Sequence, residues 1–135
     1  MPRPKKFRNG AIEFCEDDRG FYYLRIFEGE DVSEEDLSSL MTWVQSETSA
    51  ASKPMLIELS YGSTISPSVQ KHFASDVERF SSADAILIST FAHKLMATFY
   101  LRHYKPLRPT RVFNDVFDAL EWIEEMRHAD HTAES

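Results

Sequence analysis

Four hydroxyls crowd one loop of this chain: Ser63, Thr64, Ser66 and Ser68. A hydroxyl near the start of a helix can take a phosphate, and the added charge would sit well against a helix N-terminus. The plainer use of the same residues is turn and capping chemistry. A second concentration is cationic. Lys94, Arg102, Lys105, Arg108 and Arg111 fall within residues 91–113 with no acid among them, and His93, His103, Tyr100 and Tyr104 interleave. In a chain of net charge −7 that asymmetry suggests an interface or an anion-binding patch. Its candidates are Met96, Tyr100, Tyr104, Lys105, Arg108 and Arg111. Against it stands the simpler account, a wet helix end whose cations suit the dipole.

Other reactive residues do not form constellations. Cys15 is the single cysteine, so it cannot form an intrachain disulfide, which points to a reducing compartment. Its neighbours Glu16, Asp17 and Asp18 would raise its pKa. His128 and His131 are three apart in a polar tail, a poor match to a metal box. His72 has Asp76 four residues on, the spacing of a helical pair. There is no phosphate loop and no paired carboxylate setting. No catalytic, cofactor or metal residue is therefore assigned, and the chain is expected not to be an enzyme.

The net charge argues against a general nucleic-acid binder. Residues 1–6 carry positive charge with no apolar run behind them, so they are not read as a signal peptide. No run approaches the roughly 18 apolar residues of a membrane span. The expectation is a cytoplasmic protein without a transmembrane segment.

The elements that position these groups centre on residues 55–90. A buried-type strand at 55–60 is followed by the hydroxyl loop, a helix start at Ser66-Pro67, and an uncharged strand at 85–90. This is a βαβ unit with a right-handed crossover. Ile57 and Leu87 should be fully buried in mid-sheet. The intervening helix has Val69, Phe73, Val77 and Phe80 inward and Gln70, Lys71, Glu78 and Arg79 outward. Upstream, alternation at 10–16 and 21–27 around an acidic turn ending in Gly20 reads as a β-hairpin. Ser33 should cap a helix carrying Leu37, Leu40, Met41 and Val44, with Asp36 three residues on as a near-miss to a capping box. The acidic run at 28–36 then reads as a solvated helix start.

Downstream, a helix over 91–104 has two apolar stripes. Ala92, Leu95 and Phe99 are expected to meet the sheet, leaving Met96, Tyr100 and Tyr104 as a surplus for an interface. A short edge strand at 111–113 and a last helix, capped at Asn114 or Asp115 and buried through Val116, Leu120 and Ile123, complete the chain. The fold class is α/β, order ββαβαβαβα, a mixed sheet of about five strands with four helices. Residues 1–9 should be a flexible basic arm, 10–127 the domain, and 128–135 a flexible polar tail.

This order is that of the STAS fold. Leu56-Ile57-Glu58-Leu59, the stretch Ala83 to Ser89, Phe99-Tyr100-Leu101, Lys105-Pro106, Pro109 to Phe113, and Asp118 to Ile123 resemble the small bacterial SpoIIAA-like proteins of uncharacterised function. The likeness covers roughly residues 55–125. In the related anti-sigma-factor antagonists, a serine at this helix start follows an aspartate and is phosphorylated. Here Ser66 stands at the aspartate position and Pro67 at the phosphoserine, so the Asp-Ser pair is absent. The resemblance implies a non-enzymatic regulatory or protein-interaction module, bacterial and cytoplasmic. The surplus stripe adds the expectation of a homodimer, with a further protein partner possible in principle. The alternative is a small-molecule or lipid carrier with an apolar pocket near the third helix, prompted by that helix's apolar girth and by the fold's likeness to CRAL-TRIO domains.

Overall fold

Strands from across the chain meet in one sheet in the computed structural model, which describes residues 5–48, 51–75 and 81–134. In chain order the elements are β1 (Lys6–Arg8), β2 (Ile12–Asp17), β3 (Phe21–Ile26), β4 (Asp31–Val32), α1 (Glu34–Glu47), β5 (Lys53–Leu59), β6 (Thr64–Ile65) and α2 (Pro67–Ser75). Then come β7 (Ser81–Leu87), α3 (Phe91–Phe99), a π-helical extension (Tyr100–Tyr104), β8 (Thr110–Phe113) and α4 (Val116–Glu134). Among the described residues the main sheet runs β1-β2-β3-β5-β7-β8, and β4 pairs with β6 in a small separate ribbon. The hairpin pairs are antiparallel; β3-β5, β5-β7 and β7-β8 are parallel. The expected order ββαβαβαβα is therefore present as the frame, enlarged by β1 and by the ribbon.

Alternation along the strands builds two cores. Ile12, Phe14, Tyr22, Leu24, Ile26, Met55, Ile57 and Leu59 face the larger core, under α1, α2 and α3. Phe21, Leu56, Ala83, Ala85 and Phe113 face the smaller one, closed by Ala119, Trp122 and Ile123 of α4. Ser33 caps α1 as expected, and the near miss at Asp36 closes into a full capping box: Asp36 N–H donates to Ser33 Oγ at 3.2 Å, and Ser33 N–H to Asp36 Oδ2 at 2.9 Å.

Several expectations need correction. Lys6–Arg8 is an edge strand rather than part of a loose arm, because it pairs with Glu13 to Cys15 and carries Phe7 against Trp43. The tail expected from His128 is helical, since α4 continues to Glu134. The strand expected at 85–90 begins earlier, at Ser81, and takes in Asp84. Ile57 is buried, but Leu87 only partly so, lying at the margin of the α4 core. On α4, Val116 is exposed and Trp122 is buried in its stead. Val69 and Phe73 face inward as expected, while Asp76, Val77, Glu78, Arg79 and Phe80 lie outside the described residues. Among the described residues, no helix is long and apolar enough to cross a membrane.

Candidate functional site

The hydroxyl loop leaves the end of β5. Gly62 takes the left-handed conformation (φ +74°) that its turn requires. Ser63 N–H then donates to the Ser60 carbonyl, and Ser63 Oγ donates to the same oxygen at 2.7 Å. Ser63 is only 1% exposed. His93, in the first turn of α3, reaches back to it: Nε2 lies 2.8 Å from the Ser63 carbonyl and donates to it, and lies 3.4 Å from Ser63 Oγ. That proton placement leaves His93 Nε2 unable to act as a base toward the hydroxyl. Thr64 is exposed, and its hydroxyl donates to Asp31 Oδ1 at 2.6 Å across the ribbon. Ser66 accepts from Gln70 N–H through its carbonyl, which places it at the N-cap of α2. Its Oγ lies 3.3 Å from that of exposed Ser68. The loop thus brings the four candidates together, but as turn, bridge and cap. Ser68 is the one that stands open without a stronger tie among the described residues.

The α3 face is the reverse of the expectation. His93, Ala97 and Tyr100 are buried, with Met96 half-buried beside them. Phe91, Leu95 and Phe99 instead line the outside at 73%, 57% and 54% exposure. Phe99 stacks on His103, centroids 4.8 Å apart, extending the stripe by one more turn. Tyr104 is half-buried, edge-on to Phe99 at 5.9 Å. The surplus for a contact is therefore Phe91, Leu95 and Phe99, not Met96 and Tyr100.

The cationic candidates separate as well. Arg108 is drawn inward: its Nε lies 2.7 Å and its Nη2 2.5 Å from Oδ2 of Asp84, which is 1% exposed. Lys105 is exposed and ends the π-helical turn in the left-handed region, at φ 48°. Arg111 is exposed and lies over the Phe113 ring at 5.3 Å. Lys94, Arg102 and His103 are exposed too, so a cationic rim survives around the α3 stripe.

Beneath α3 lies a cavity of about 50 Å³, walled by α2, α3 and the sheet. Met96, Ala97 and Tyr100 supply its α3 side. Leu95 and Phe99, which would have lined it had they faced inward, do not.

A family model for a domain of unknown function, DUF7793, matches residues 18–127. The chain belongs to the DUF7793 family. This DUF7793 chain is also similar to a crystal structure of an uncharacterized protein of the DUF3478 family with a SpoIIAA-like fold, from Shewanella loihica PV-4. The likeness covers 90% of this chain and 92% of that one, at a TM-score of 0.50 and 14% identity. It shows the fold as SpoIIAA-like. Among curated proteins none matches.

Two residues of the DUF7793 domain carry more than their sequence context signals. Asp84 falls just before the strand expected at 85–90, and its ion pair with Arg108, on the distant loop before β8, accompanies its burial inside that strand. Gln70 was expected on the wet side of α2, yet it is 8% exposed and borders the cavity. A signal for Gln70 did exist: it follows Val69 directly, and a wide inward face would include both. Cys15 is half-buried, and burial, its largest influence, pushes the thiol pKa up, away from reactivity. His128 pairs with Glu124 at 2.9 Å, and no group of metal-ligating residues occurs among the described residues.

Proposed function

We propose that this chain is a non-enzymatic regulatory module of the bacterial cytoplasm that works by protein contact, first of all with a second copy of itself. The observation that carries the reading is the exposed stripe Phe91, Leu95 and Phe99 along one helix. Contiguous apolar surface of this kind marks contact sites on soluble domains. Aromatic and arginine side chains are the types enriched there. The stripe is flanked by exposed Lys94, Arg102 and Lys105, while Glu28, Glu30, Asp31, Glu34 and Glu35 are exposed acids elsewhere on the same chain. A two-fold pairing could set one against the other, and charge complementarity would fix its register.

Light scattering tests this directly. Phe91→Glu and Leu95→Glu should each convert a dimer into a folded monomer with unchanged circular dichroism. Wild-type protein that runs as a monomer at tens of micromolar would end the self-association reading. Tyr100→Glu is unsuitable as a probe, because a buried charge there would damage the fold itself. A second reading, a small-molecule carrier, is favoured by a separate observation: the apolar cavity beneath α3.

A further inference from the structure

Gln70 places a buried polar atom in that cavity wall for which the described residues supply no partner. Gln70 Nε2 donates to the Ile65 carbonyl at 2.8 Å, which leaves Oε1 as the acceptor turned the other way. Among the described residues Oε1 has no hydrogen-bond donor, and the side chain borders the cavity. Buried acceptors are rarely left so, and each one costs free energy until a donor arrives. The rest of the wall is dominated by aliphatic and aromatic groups such as Ile57, Ile86 and Met96. Asp84 also reaches it, but its carboxylate is held by Arg108.

The volume, about 50 Å³, exceeds the roughly 10–15 Å³ that one water needs. Water is a poor occupant, since it asks for two to four polar partners and the wall offers few. A third feature lies at the same place. The α3 helix widens into a π-helical turn beginning at Tyr100, a cavity residue. Such insertions gather at functional sites.

We propose that the cavity is a ligand site for a small, uncharged, mainly apolar molecule with one hydrogen-bond donor, its O–H or N–H directed at Gln70 Oε1. This deepens the carrier reading and is independent of the outer face of α3.

The test uses the full chain, isotope-labelled, titrated by NMR with ethanol and separately with acetonitrile, two probes small enough for the cavity of which only ethanol has a donor. Ethanol should give saturable shifts of the Gln70 side-chain amide and the Met96 methyl, with affinity about tenfold above that of acetonitrile. Gln70→Leu should bring the two affinities within about twofold, the expected loss of a single donor–acceptor pair. Equal affinities in the wild type, or no saturable shift with either probe, would overturn the proposal. The wild-type comparison stands even if Gln70→Leu folds poorly. Light scattering on the same samples keeps the two readings apart: a dimer that ignores ethanol removes the ligand site alone, and a monomer that binds it removes self-association alone.

Discussion

On one face of the sheet, α1, α2 and α3 close over large residues such as Phe14, Tyr22 and Ile57, and the seal is incomplete. On the other face α4 alone covers β5, β7 and β8, and the strands there present small side chains, Ala83 and Ala85, to Ala119. Small residues let a helix approach closely, so α4 packs directly onto these strands. The difference separates duties. The α4 side holds the parallel strands together, while the three-helix side carries the cavity, the buried Gln70 and Asp84, and the His93 tie to the hydroxyl loop. Both functional readings fall on the three-helix side, one inside α3 and one outside it.

The largest expected effect tests whether the buried pair supports that side. Asp84→Ala leaves the Arg108 guanidinium, 10% exposed, without its counter-charge. Breaking a buried pair from one side costs about 3–5 kcal/mol, read as a fall in the denaturant midpoint. Replacing both partners together by apolar residues of similar size should cost far less, since such exchanges are often close to neutral. A small loss for the single change would mean that the three-helix side does not depend on the pair.

A pair of identical substitutions sharpens the contrast between the faces. Ala85→Leu adds volume where the wall is closed and should cost about 1–3 kcal/mol through overpacking. Ala97→Leu adds the same atoms on α3, where Ala97 borders the cavity, and should cost under about 1 kcal/mol because the space can take them. Equal penalties at the two sites would mean that the cavity closes on itself in solution.

How far the chain announced this arrangement depends on what each residue answers to. The hairpin and the βαβ frame were legible because period-two alternation and local turn residues decide them: Tyr22, Leu24 and Ile26 face the large core as their spacing predicts. The Ser33 and Asp36 cap is likewise a four-residue affair. The two stripes of α3 were not separable by spacing, since both are apolar at helical period. What chose Met96 and Tyr100 for the inside was the position of α2 and the ribbon, which no local pattern encodes. Asp84 and Arg108 stand 24 residues apart and needed the β7–β8 pairing to meet. The hydroxyl loop was located correctly, but its hydrogen bonds to Asp31 and His93 come from other segments, so its structural use could not be read from the loop itself.

The smallest effect concerns the part of the second face that α4 leaves bare. There β1, β2 and β3 present Lys6, Glu13 and Arg25, tied by ion pairs, and Tyr23, which packs at the margin of the α4 core and donates to Glu58. Lys6 Nζ lies 2.6 Å from Glu13 Oε1. The hydrogen bond from Lys6, the largest influence, holds the Glu13 carboxyl below its ordinary value of 4.5. A depressed carboxylate contributes stability that is present above about pH 4.5 and fades as pH falls through the folded value. Lys6 is raised above its ordinary value of 10.5 by the same bond, so its share is present at neutral pH and fades as pH rises through the folded value. Exposed pairs are weak and screened by salt. Glu13→Gln should therefore lower the midpoint slightly at pH 7 and low salt, and the gap to wild type should narrow below pH 4.5 and in high salt. A gap that persists at pH 3 would show that Glu13 supports β1 through packing of its stem, and the bare half of this face would then resemble the α4-covered half more closely than its charges suggest.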